Sequence, residues 1–275
     1  MRFMKTTKAC LSLFRIRFAE STQYRLATLS QASVSIFWAW IELIVYTAFF
    51  LHSSIDQGTN SMSLAQTVSY IWLGQFLFPL QPLSIDGEIL SSITSGNVGI
   101  ELCRPIDLYT HWFSKTAAQR LSGFWMRGII IVLVGFVMPL SFRLSLPVSL
   151  AGFGLFLLSA LSAFLLCNAF GMLTTAVRLG ITWGEGPTYI MMLIPAVLSG
   201  GYLPLQLWPE FMQKFLFLQP FSGYLDIPTR LYIGTLAPHK AGWAILLQLA
   251  WAGIFVAAGK MLMHRKMKSL IIQGG

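Results

Sequence analysis

Apolar residues fall along this chain in six runs, separated by polar or proline-rich stretches: 26–51, 64–85, 121–142, 148–173, 188–203 and 241–263. A helix needs about 20 residues to cross the hydrocarbon core of a bilayer. Every run but the fifth has that length. The fifth meets Gly200-Gly201 and then Pro204, so it is either tilted against its neighbours or completed by broken backbone. The pattern predicts an all-α integral membrane protein with six transmembrane helices, forming one transmembrane domain over residues 1–275.

Two connections are long. The first, 86–120, opens with IDGEILSSIT, where Asp86 can cap a helix and Glu88 sits in its first turn. Ile89, Leu90 and Ile93 recur at helical spacing. SGN then reads as a turn, and Pro105 suits the first turn of a second helix through Leu108, Trp112 and Phe113 to Lys115. The second connection, 204–240, is cut by Pro204, Pro209, Pro220 and Pro228. Leu207, Trp208, Phe211, Met212, Phe215 and Leu216 recur there at helical spacing, which predicts short, re-entrant helices at the outer face.

Composition agrees with a membrane class. Hydrophobic residues make up 55% of the chain and charged residues 11%, against about 25% charge in soluble domains. The first apolar run is too long for a signal peptide and is read as a retained span.

The net charge of +9 changes the picture less than it would on a soluble protein. With the N-terminus inside, Arg2, Lys5, Lys8, Arg15, Arg17 and Arg25 precede the first span. Arg104, Lys115, Arg120 and Arg127 lie around the second connection, Arg178 lies in the fourth, and Lys260, Arg265, Lys266 and Lys268 follow the last span. The outer side holds only Arg143, Lys214, Arg230 and Lys240. Lys and Arg collect on the cytoplasmic side, so both termini are expected to be cytoplasmic. The charge is then a topology signal, and nucleic acid is not an expected partner. The N-terminal segment KACLSLFRIRFAESTQYR reads either as a helix at the inner interface or as simple basic flanking.

Candidate chemistry is sparse. There is no Gly-x-x-x-x-Gly-Lys-Ser/Thr phosphate loop, no His-Glu-x-x-His and no Gly-x-Ser-x-Gly. Three widely spaced cysteines, Cys10, Cys103 and Cys167, argue against a disulfide framework or a zinc site. No catalytic and no metal-binding residues are expected. The one acid deep in a span is Glu42, either a functional group or a hydrogen-bonded structural contact.

Two stretches carry a resemblance. SGNVGIELCRPIDLYTHWFSKTAAQRL and SGGYLPLQLWPEFMQKFLFLQPFSGYLDIPTRLYIG resemble the matching stretches of the small permease subunits of ABC-2-type exporters. The shared features are Ser-Gly then Leu-x-Arg-Pro in the first, and Ser-Gly, Trp/Phe-Pro, Pro-Phe and a Pro-x-x-x-x-x-Gly ending in the second. Order and spacing agree over nearly the whole chain. Cys103 and the polar Ser-Gly-Asn turn depart from the pattern.

The resemblance implies a permease that forms the substrate path and carries no cofactor of its own, with ATP and Mg on two separate ATPase subunits. It implies a second permease copy or a similar chain, and a bacterial inner (plasma) membrane. Glu88, Ile89, Leu90, Ile93, Arg104, Pro105 and Trp112 would form the main ATPase-coupling element, their apolar members exposed for the partner. Arg178 and Trp183 would form a smaller contact. The alternative for 86–120 is folding back on the chain's own helices. Pro204, Trp208, Pro209, Phe211, Phe215 and Pro220 would form an outer gate, or else a lipid-facing plug. The expected function is export of an amphipathic or apolar substrate. The alternatives are a stand-alone carrier or channel driven by an ion gradient, and a membrane enzyme acting on lipid.

Overall fold

The computed structural model describes residues 2–23, 25–52, 62–103, 106–181, 184 and 186–268. These residues form helices and connecting turns, with no strand among them. α1 (Arg2–Ser21) lies along a later helix, α6. α2 (Arg25–His52) and α3 (Leu64–Leu77) follow, and α3 starts at a capping box of Ser63 and Gln66. Two short helices, α4 (Gly87–Thr94) and α5 (Val98–Leu102), lead into α6 (Leu108–Val137). α7 (Leu150–Leu179) and α8 (Gly186–Leu198) come next. Two more short helices, α9 (Glu210–Leu218) and α10 (Asp226–Ile233), precede α11 (Pro238–Met267).

Among the described residues, α2, α6, α7 and α11 are each long and apolar enough to cross a membrane. Their 28 to 30 residues reach about 45 Å at 1.5 Å rise, more than a hydrocarbon core of about 30 Å. The other two apolar runs make shorter helices than their hydropathy suggests. α3 stops at Leu77 and gives way to a 3₁₀ turn over Phe78–Leu80, because Pro79 lacks an N–H and its ring would meet the carbonyl one turn back. α8 stops at Leu198, and Gly200 then takes φ +87°, which ends any helix.

α6 differs most from the sequence reading. It begins at Leu108, capped by Asp107, which accepts from the Thr110 amide and hydroxyl. The helix expected from Pro105 to Lys115 and the span expected from 121 are therefore continuous from Leu108 onward. No turn-former separates them, so helix propensity carries through 116–120.

Small residues set the helix packing. A Cβ on Gly128 would lie 2.8 Å from the Phe76 ring, and one on Gly135 would lie 3.2 Å from Trp72. These two glycines, two turns apart on α6, let α3 approach closely. Trp72 also donates its indole N–H to the Phe142 carbonyl at 2.8 Å. α7 and α11 make the most extensive helix pair. Gln248 of α11 fastens it by donating to the carbonyls of Gly223 (2.7 Å) and Ser159 (3.2 Å) and accepting from the Ser159 hydroxyl.

Candidate functional site

α2, α3 and α6 enclose a groove made of two adjoining cavities. The larger one, about 740 Å³, is lined by Arg17, Asp86, Glu88, Gln119, Arg120 and Ser122, among others. The smaller one, about 460 Å³, is lined by Val34, Trp38, Glu42, Tyr46, Ile71, Gln75, Tyr202 and Pro204, among others. Gln31, Phe78, Gln81, Leu83 and Arg127 line both, so the two cavities meet at Arg127.

Glu42 lies in the smaller cavity, half-buried, with the Gln75 side chain as its hydrogen-bonding neighbour. Beyond it, Tyr46 donates to the Tyr202 carbonyl at 3.0 Å and ties α2 to the segment after α8. Arg127 is 8% exposed. Its guanidinium donates to the Ser35 hydroxyl and lies 5.1 Å from the Phe78 ring centroid. Arg120, two turns earlier, donates to the Leu80 carbonyl at 3.1 Å.

The 81–103 connection folds onto its own chain. Ile89 and Trp112 are both 0% exposed, packed with Val98, Leu108, Tyr109, Met172, Ala176 and Met263. The sequence reading expected both to be exposed for a partner, and the structure corrects this. Helical periodicity marks an apolar face, and here the ends of α6, α7 and α11 cover it. Ile93 packs at the edge of this cluster and Leu90 is half-exposed.

Polar contacts lock the arrangement. Glu101 accepts from the Trp112 indole and from the Ser92 hydroxyl at 3.0 Å. Lys115 reaches Glu88 at 2.7 Å and Asp86 at 3.3 Å. Arg17 of α1 pairs with Glu88 and Glu20. The exposed apolar residues of the connection are Ile100 (68%), Leu102 and Leu83. Arg178 is buried at the end of α7, where it donates to the Ile181 carbonyl at 2.7 Å. Arg104, Pro105 and Trp183 lie outside the described residues.

A family model described as ABC-2 family transporter protein matches residues 36–274. The chain belongs to the ABC-2 transporter family. No curated protein matches it. With four long apolar helices, this ABC-2 protein is a multi-pass membrane protein and a transport subunit by family.

Residues 204–237 of the ABC-2 protein pack one side of their apolar residues inward. Leu216 is buried, while Phe211 (81% exposed) and Phe215 (67%) face away from the chain. Pro209 ends the 3₁₀ turn over Leu205–Leu207, so Leu207 and Trp208 are not on the same helix as Phe211. Pro204 is buried, Trp208 and Pro220 are half-buried, and Pro209 is exposed. α10 is anchored by Asp226, fully buried between Tyr70 (3.1 Å) and Arg230 (3.4 Å).

Sequence reasoning counted Arg127 among the orientation charges and missed its place in the groove. The signal that could have found it is its position well inside the apolar run 121–142, where a charge needs a reason.

Proposed function

We propose that this chain is the permease half of an ATP-driven exporter, with ATP and Mg held by two separate ATPase subunits. The observation that carries this reading is the groove along α2, α3 and α6, whose inner end adjoins the α1–α4 ion-pair cluster and whose outer end reaches Tyr202 and Pro204. A passage with an apolar outer part and a polar inner mouth suits an amphipathic or apolar substrate, and two permease copies would enclose it.

In this reading six segments cross the inner (plasma) membrane: α2, α3 with its 3₁₀ turn, α6, α7, α8 with 199–203, and α11. Both termini lie inside, as the Lys and Arg distribution favours. The ATPase docks on the α4–α5 connection through the exposed residues Ile100 and Leu102, with Glu88, Leu90, Ile93 and the Arg104-Pro105 pair beside them. Ile89 and Trp112 carry the motion inward from beneath that surface, and Arg178 and Trp183 belong to the smaller contact. Phe211 and Phe215, with Pro204, Trp208, Pro209 and Pro220, form the outer gate.

The test is a mild-detergent pull-down of the chain from its native membrane, with every co-purifying protein identified. A stoichiometric partner carrying a phosphate-binding loop is expected. Recovery of the chain alone, correctly inserted, would overturn the reading in favour of a stand-alone carrier, with Glu42 the first residue to replace.

A further inference from the structure

We propose that Arg127, with Ser35, Gln31 and Gln81, forms a headgroup site for an anionic amphiphile in the groove. A charged side chain within a membrane-spanning segment is unfavourable unless something offsets it. Among the described residues no carboxylate lies within ion-pair distance of Arg127. The acids at the inner mouth are already engaged: Asp86 and Glu88 with Lys115, Glu88 and Glu20 with Arg17. The Nε atom of Arg127 is buried without a hydrogen-bond partner.

Arg120, two turns earlier on α6, takes no part, because its guanidinium donates to the Leu80 carbonyl and packs against Gly171 of α7. Guanidinium groups bind phosphate and carboxylate through paired N–H donors, and they are weakly hydrated enough to work at low polarity. The neutral amides of Gln31 and Gln81 line the same stretch and can donate to remaining headgroup oxygens. Beyond Arg127 the walls turn apolar at Val34, Trp38, Ile71 and Phe78, which suits an acyl or aromatic tail. Glu42 lies seven residues beyond Ser35 on α2, about 10 Å from the headgroup position, where Gln75 faces it. The ligand class is therefore an amphiphile with a phosphate or carboxylate head. Its use as cargo rests on the permease reading; its binding rests only on the groove.

The full-length chain, purified in a neutral detergent, is titrated with dioleoylphosphatidylglycerol and with dioleoylphosphatidylcholine, and bound lipid is counted by native mass spectrometry. The anionic lipid is expected to bind about tenfold more tightly, and R127Q is expected to remove most of that preference. R127K keeps the charge without the paired donors and should keep only part of the preference, and R143Q, at a position that lines neither cavity, should match the unaltered chain. Millimolar inorganic phosphate should not displace the lipid; displacement would overturn the amphiphile in favour of a free anion. Equal binding of the two lipids, or a preference that survives R127Q, would overturn the site. Because binding is read on the chain alone, its failure is separate from any failure to recruit an ATPase.

Discussion

The hydroxyl of Tyr70 on α3 donates to the carboxylate of Asp226 on α10 at 3.1 Å, and both residues are buried. One hydrogen bond therefore joins α3 to α10, across a sequence gap of 156 residues. Arg230 supplies the second partner of Asp226 at 3.4 Å. Tyr70→Phe leaves a buried carboxylate short of one donor, which is expected to lower stability by about 1–3 kcal/mol. A thermal unfolding midpoint several degrees below that of the unaltered chain, in the same detergent, is the expected result.

Gly200 provides an independent check on the same contact. Its φ of +87° disfavours any side chain, and a Cβ there would lie 2.3 Å from the Tyr70 hydroxyl. Gly200→Ala is expected to destabilise the protein. Combined with Tyr70→Phe it should cost less than the two singles added, because the clashing oxygen is gone. A thermal-shift double-mutant cycle measures this, and strict additivity would contradict the geometry.

At the inner face, burial separates two kinds of apolar residue. Ile89→Asp places a charge in a packed cluster and is expected to destabilise the chain by more than 3 kcal/mol, read as loss of the folded peak in size-exclusion chromatography. Ile100→Asp with Leu102→Asp alters exposed positions, so the chain should fold normally and lose ATPase co-purification. Normal co-purification of that folded variant would move the docking surface elsewhere.

Gln248→Leu removes the amide that satisfies Ser159 and Gly223. Hydrogen bonds between membrane helices contribute modestly, so a loss of about 1–2 kcal/mol is expected. Ser159→Ala breaks one of these contacts and should lose less. Chemical denaturation in mixed micelles would rank the two.

Much of this architecture is legible in the sequence, and particular residues show where legibility ends. The apolar runs locate α2, α6, α7 and α11 because a membrane-crossing helix must be apolar over its length. The cap at Asp86 and the break at Gly200 follow from local backbone chemistry, whereas the break at Pro79 went unread inside the run 64–85. The fate of an amphipathic face is another matter. Ile89 and Trp112 announce a buried surface, but periodicity is the same whether a partner or the chain's own α7 and α11 bury it. Leu207 and Trp208 show the reverse failure, since one proline takes them off the helix their spacing suggested. The groove was illegible because Ser35 lies on α2, Gln81 in the bend after the 3₁₀ turn and Arg127 on α6, and only the packing brings them together.

α6 runs for 30 residues as one unbroken helix, from the cluster under α4 past Arg127 to Val137. It therefore links the two ends as a lever, with Ser122-Gly123 the place where it would bend first. A tilt of about 5° about its Leu108 end would carry the Val137 end through about 4 Å over a length of about 45 Å. A push on Trp112 is thus passed along one helix to Arg127, with the longer stroke delivered at Val137.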